Sequence, residues 1–123
     1  MILLDTNAIL FLLTKHRRAA ALAKFEGQLR VSPLSLIELQ MLVEVGRLRW
    51  TQSDPRVAFG DDPRWKLDDP HLGAIAQHSM DLSWTRDPFD RLLVAHAKHR
   101  RFRFATSDTR ILENLPARDV LEL

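Results

Sequence analysis

Two rhythms alternate along this chain. Short runs rich in apolar residues recur at "ILL" (2–4), "LRV" (29–31), "WKL" (65–67), "FRFAT" (102–106) and "VLEL" (120–123). Between them lie stretches with helical spacing of apolar positions. That alternation predicts βα units around a parallel sheet. Asp5 stops the first run, and Asn7 and Ala8 open an apolar helix through Leu13. A second helix is expected over about Arg17 to Phe25. Ser32 and Pro33 are a cap followed by a proline at the first helical position, and Gly46 is the matching stop. The helix between them, Pro33 to Val45, is apolar around most of its circumference, which predicts a central place for it.

Residues 50 to 70 change character, with Asp54, Asp61, Asp62, Asp68 and Asp69 among Pro55, Pro63 and Pro70. They read mostly as loop around the short strand at 65–67. Asp69–Pro70 then caps a helix through about Ser79. A helix over 88–99 follows, with Asp87 ahead of Pro88 as its cap. A short helix starts at about Asp108. The fold class is therefore an α/β sandwich of about five strands, read as one domain over 1–123, with boundaries good to about 2–4 residues.

Composition narrows the class further. The length of 123 residues suits one domain with a single core. The absence of cysteine excludes a disulfide framework and a thiolate zinc site, and fits a reducing compartment. Met1 runs directly into "ILLD", with no room for a charged leader. The longest apolar run, Ala8 to Leu13, is too short to span a bilayer. A cytoplasmic location is the expectation. With 18 basic against 16 acidic residues, the charge balance permits a nucleic-acid partner without arguing for one.

Four acids stand out. Asp5 ends the first strand run and Asp108 follows the fourth, and each has an ordinary reading as a helix cap. Ligands of open α/β sheets, however, bind beyond the carboxyl ends of strands, where both would lie. Glu38 shares a helix face with Leu34, Met41, Leu42 and Val45. A carboxylate in an apolar stripe needs compensation, from a buried Arg or from something it binds. Asp90 aligns with Leu93, Val94 and Ala97. As a capping-box residue it would be short, since that role prefers Glu or Gln. Asp87 thus shapes the helix end and Asp90 points inward. Like charges brought together need a cation, and hard oxygen ligands without cysteine favour Mg²⁺ or Mn²⁺ over zinc.

The segments "LLDTNAIL", "SPLSLIEL", "VGRL", "DPFDRLLVAHA" and "ATSDTRI" resemble, in order and spacing, the PIN-domain ribonucleases. The resemblance is closest to VapC-type toxins of bacterial toxin–antitoxin pairs, and it covers essentially the whole chain. It implies a sandwich with a parallel sheet and a Mg²⁺-dependent endoribonuclease site. The four acids of the family match Asp5, Glu38, Asp90 and Asp108. Of these, Asp5, Asp90 and Asp108 would hold one or two ions, and Glu38 would orient a water or complete the shell. Thr6, Ser35 and Thr106 would support them, Thr106 by holding a water or ligand. An RNA substrate, a small antitoxin over the cleft and a homodimer are the implied partners. Asn7 departs from the His that close relatives often carry after "DT".

Other features have plainer readings. "KHRRFRF", Lys98 to Phe104, mixes cations with aromatics in the manner of an RNA contact. Yet Lys98, Arg100 and Arg101 also suit a helix C-terminus, and Phe102 and Phe104 suit the core. Arg17 and Arg18 are similar. His96 and His99, three apart on the last turn, read as surface residues. Two other functions compete. One is a haloacid-dehalogenase-like phosphohydrolase with Asp5 as nucleophile, which wants a second Asp where Asn7 stands. The other is an RNA-binding module that keeps this fold without cleaving.

Overall fold

The computed structural model describes residues 1–51 and 54–123, so Gln52 and Ser53, within the predicted loop, lie outside the described residues. Five short strands form one wholly parallel sheet: β1 (Ile2–Leu4), β2 (Leu29–Val31), β3 (Lys66–Leu67), β4 (Arg103–Thr106) and β5 (Val120–Glu122). Their spatial order is β3-β2-β1-β4-β5. The chain thus winds outward from β1 in one direction, then returns to β1's other side and winds outward again. Register places Leu3 beside Phe104 and Leu4 beside Ala105.

Alternation along the strands splits the core in two. Ile2, Leu4 and Ala105 join Ala8 and Ile9 of helix α1 (Thr6–Leu13) and Leu22 of the 3-10 segment Arg17–Phe25 on one face. Leu3, Phe104 and Val120 meet α4 (Leu72–Ser79), α5 (Pro88–Arg100) and α6 (Thr109–Asn114) on the other. Strands buried on both faces explain their apolar composition.

Helix α2 (Pro33–Glu44) straddles the two cores. Leu36 and Leu39 pack against the first and Leu34 against the second. Ser32 caps it through Leu34 N–H, Pro33 takes the first turn, and Gly46 at φ 77° follows its end, as expected. The expected central position is wrong. Ile37, Met41 and Val45 are 52%, 48% and 67% exposed. A helix apolar around most of its circumference usually signals burial, but this one packs against α5, α1 and the helix Pro55–Asp61 and leaves these apolar side chains bare.

Two boundaries also differ. The stretch 50–70 holds a helix, α3 (Pro55–Asp61), capped by Asp54 through Arg56 N–H. Its Asp–Pro start is the same signal as Ser32–Pro33, obscured by the surrounding acids. Asp69–Pro70 does not cap α4. That helix begins after His71 without a side-chain cap, because its place is set by packing of Ile75 into the second core.

Candidate active site at the carboxyl edge of the sheet

Successive strands that run to opposite sides of β1 leave a crevice between β1 and β4, the place where open α/β sheets bind ligands. Asp5 sits there at the end of β1, its N–H donating to the Ala105 carbonyl at 3.0 Å. It is both cap and site residue. Oδ1 accepts from Thr6 N–H at 2.7 Å and Oδ2 from the Thr106 hydroxyl at 2.7 Å. Asp108, two residues beyond β4, likewise caps α6 through Arg110 N–H at 2.8 Å. Thr106 links the two acids, since its oxygen also accepts from Asp108 N–H at 3.0 Å. Fully buried, Thr106 is a brace between Asp5 and Asp108.

The other two acids arrive on helices. Asp87 caps α5 by accepting from Phe89 and Asp90 N–H at 2.9 and 3.1 Å, and Thr85 Oγ1 in turn accepts from Asp87 N–H at 3.1 Å. Arg91 donates to the Thr85 carbonyl at 2.8 Å, locking the entry to the helix. That leaves Asp90, one turn in, half-buried and facing the crevice. Glu38 is half-buried on α2. The Thr6 hydroxyl, with one proton to give, donates to Ser35 Oγ at 3.0 Å and also lies beside the Glu38 carboxylate, so two acceptors compete for it.

The electrostatics show that the four acids share one neighbourhood. Burial pushes the Asp5 carboxyl up to about 6 against the pull of Thr106, and the Glu38 and Asp108 charges push it further the same way. Burial also pushes Asp90 up to about 7, helped by Asp87, Asp5, Asp108 and Glu38 in that order. Glu38 is raised too, by burial first and by Asp87. Among the described residues, none of the four has an ion-pair partner. The recorded pairs go to Asp54, Asp62, Asp68 and Asp119. The buried Arg pair considered for Glu38 is therefore absent from the described residues.

As the side chains stand, no three acids or histidines among the described residues close into a finished metal shell. The donor chemistry nonetheless fits a hard divalent cation. It is oxygen only, partly desolvated, and carries negative charge that no cation of the described chain offsets.

One reading needs correction. His96 is not on the surface: it is fully buried, 2.6 Å from Asp68 through Nε2, and Arg100 Nε reaches the same Asp68 oxygen at 2.9 Å. The unbroken apolar context of "LLVAHA" was the signal, since Leu93, Val94, Ala95 and Ala97 are all buried. Burial holds His96 below its ordinary pKa although Asp68 opposes the shift. The neutral ring therefore donates from Nε2, which leaves Nδ1 buried without a partner among the described residues.

An open parallel sheet with a carboxylate crevice at its switch point defines a class of small α/β domains built to bind a charged ligand. The chain belongs to the PIN-domain family, whose family model matches residues 2–116. Solved structures agree in fold. A toxin–antitoxin complex from Klebsiella pneumoniae is similar at a TM-score of 0.71 and 18% identity, covering 100% of both chains. A DNA-bound VapBC from Salmonella typhimurium reaches 0.70 at 20%, covering 98% of this chain and 96% of the other. A VapBC complex from Rickettsia felis, bound to promoter DNA, reaches 0.70 at 19%, with 100% and 99% covered. Among curated protein sequences, none matches the chain. No helix among the described residues is long and apolar enough to cross a membrane.

Proposed function

We propose that this protein is a Mg²⁺-dependent endoribonuclease and the toxin half of a toxin–antitoxin pair. The observation that carries the reading is four carboxylates, Asp5, Glu38, Asp90 and Asp108, gathered at the switch point with no cation of the described chain to offset them. Asp5, Asp90 and Asp108 would hold Mg²⁺, or Mn²⁺, and Glu38 would orient the attacking water. When bound, the ion would make that water nucleophilic and offset charge developing on the phosphate. The chain's own contribution is orientation. Thr106 and the Thr6 N–H fix both oxygens of Asp5, and Thr6 with Ser35 lines the approach to Glu38. Because Asp5 and Asp90 hold protons up to about 6 and 7, ion binding would release protons near neutral pH.

A protein partner is supported by the bare apolar positions Ile37 and Met41 on α2, Val45 at its C-cap and Val57 on α3. Ile37 and Met41 line a groove of about 610 Å³ between these helices. Since the similar solved structures are toxin–antitoxin complexes, we assign that surface to the antitoxin. RNA as substrate and a pair of copies as the working unit belong to the same proposal.

The test is cleavage of a mixed RNA pool with Mg²⁺ against EDTA. Wild type should cleave only with the ion, and Asp90→Asn should lose on the order of 100-fold or more. A well-folded wild type with no metal-dependent cleavage would overturn the reading.

A further inference from the structure

The opposite end of the sheet carries the opposite charge. Arg103 opens β4, Lys98 lies in the last turn of α5 and Arg101 just beyond it, and Arg118 lies in the 3-10 turn Ala117–Asp119 ahead of β5. These residues, with half-buried Phe102 and one acid, Asp119, line a cavity of about 320 Å³ in which the cations outnumber the acid. Arg103 is already committed: it donates to the Val120 carbonyl at 2.9 Å and its guanidinium lies 5.8 Å over the Phe25 ring. Arg118 is held loosely, 3.8 Å from Asp119 with its side chain 84% exposed. Lys98 and Arg101 have no acid partner among the described residues.

Cations at a helix C-terminus complement its dipole, which would account for Lys98 and Arg101. It does not account for Arg103 from a strand and Arg118 from a distant turn meeting at the same hollow. Three separate elements converge there, and an aromatic ring stands among them. We propose that this cavity is a phosphate-binding site that takes one nucleotide unit, its phosphate on Lys98, Arg101 and Arg118 and its base against Phe102. The volume lies at the small end of ligand pockets, suited to one such unit. Guanidinium groups suit phosphate oxygens, and aromatic rings accept any base. The unit is either a free nucleotide or part of an RNA strand. In the metal-free protein the carboxylate crevice repels phosphate, so the basic end is where such a ligand settles.

The test uses the full chain in EDTA, with 5′-AMP and a ten-residue oligoadenylate RNA as probes, read by calorimetry and amide NMR shifts. Wild type should bind, with shifts centred on residues 98–103 and 115–119. The triple variant Lys98→Gln, Arg101→Asn, Arg118→Gln should bind at least tenfold more weakly and with less dependence on salt. Asn is chosen at 101 because that residue has φ 58° and Asn tolerates the left-handed region. All three positions are exposed, and an unchanged melting temperature checks the fold. Lys98→Glu, a single reversal at an exposed site, should weaken binding further than Lys98→Gln. Binding of both probes identifies a nucleotide site, and binding of the oligomer alone identifies a strand contact. If neither probe binds wild type, if the triple variant binds as tightly, or if the shifts map to Asp5 and Asp90, the proposal falls. No metal or cleavage is involved, so this failure and failure of the nuclease reading are separate results.

Discussion

Two partly buried groups of ionisable residues in this small domain are built on opposite principles. At the Asp68–His96–Arg100 site a carboxylate is satisfied. Burial pushes Asp68 up, but bonds from His96 and Arg100 outweigh it and hold the carboxyl below its ordinary value. At the crevice, burial pushes Asp5, Glu38 and Asp90 up, and neighbouring acids push the same way. The first group ties α5 to the residue that follows the edge strand β3, through two bonds that satisfy the Asp68 carboxylate. The second is left with uncompensated charge at the switch point of the sheet, where open α/β topologies bind ligands. The difference separates a structural ion pair from a binding site more sharply than burial or proximity alone.

Their pH dependence should run in opposite directions. A raised carboxyl pKa makes a penalty that is absent below about pH 4, accumulates as pH rises, and is complete above the folded value. For the crevice that window is about pH 4 to 7. Asp68, with its pKa lowered, stabilises above about pH 4 and loses that contribution in acid. Neutral buried His96 loses stability as pH falls below about 6.5, where the unfolded ring takes up a proton.

The largest stability effect is expected from breaking the satisfied site. Asp68→Ala strands the buried His96 N–H and should cost about 2–4 kcal/mol, read by urea unfolding at pH 7.5. A loss under about 0.5 kcal/mol would mean that the trio is incidental.

Asp5→Asn should do the reverse. The raised Asp5 carboxyl represents roughly 3 kcal/mol at neutral pH, of which the altered bond to Thr106 takes back a part. A net gain of about 1–2 kcal/mol in EDTA is expected, vanishing near pH 4. Added Mg²⁺ should raise the melting temperature of wild type and leave this variant nearly unmoved. Equal Mg²⁺ responses in the two proteins would remove Asp5 from the site.

The smallest effect tests the boundary between cap and cluster. Asn caps as well as Asp, so Asp87→Asn should change stability at neutral pH by less than about 0.5 kcal/mol. Its charge nevertheless raises both Asp90 and Glu38. The decline in stability between pH 4 and 7 should therefore become shallower in the variant, and an unaltered slope would make Asp87 a cap and nothing more.

Much of this was legible in one dimension. Strand runs, the Ser32–Pro33 and Asp87–Pro88 starts and the Gly46 stop are local signals, and the elements follow them closely. The inward turn of Asp90 and the outward role of Asp87 were also readable, because helical spacing assigns faces before any packing is known. α3 was missed because its Asp54–Pro55 start is embedded among other acids, and local composition there reads as loop.

What the sequence determined by itself, then, is the set of elements, the faces they present and the four acids that lack an apolar excuse. Tertiary structure decided which faces found partners. Helix α2 is apolar around most of its circumference, yet only its packing against neighbouring helices decides that Leu39 is buried and Val45 is bare. His96 looked like a surface residue at a helix end until β3 brought Asp68 beside it. Lys98 and Arg118 are twenty residues apart and meet only because α5 and the final turn close on β4. Even the two roles of Asp5 were a tertiary decision. Capping is local chemistry between neighbours, whereas membership of a cluster depends on strand order, which placed β4 beside β1 and so Asp108 beside Asp5.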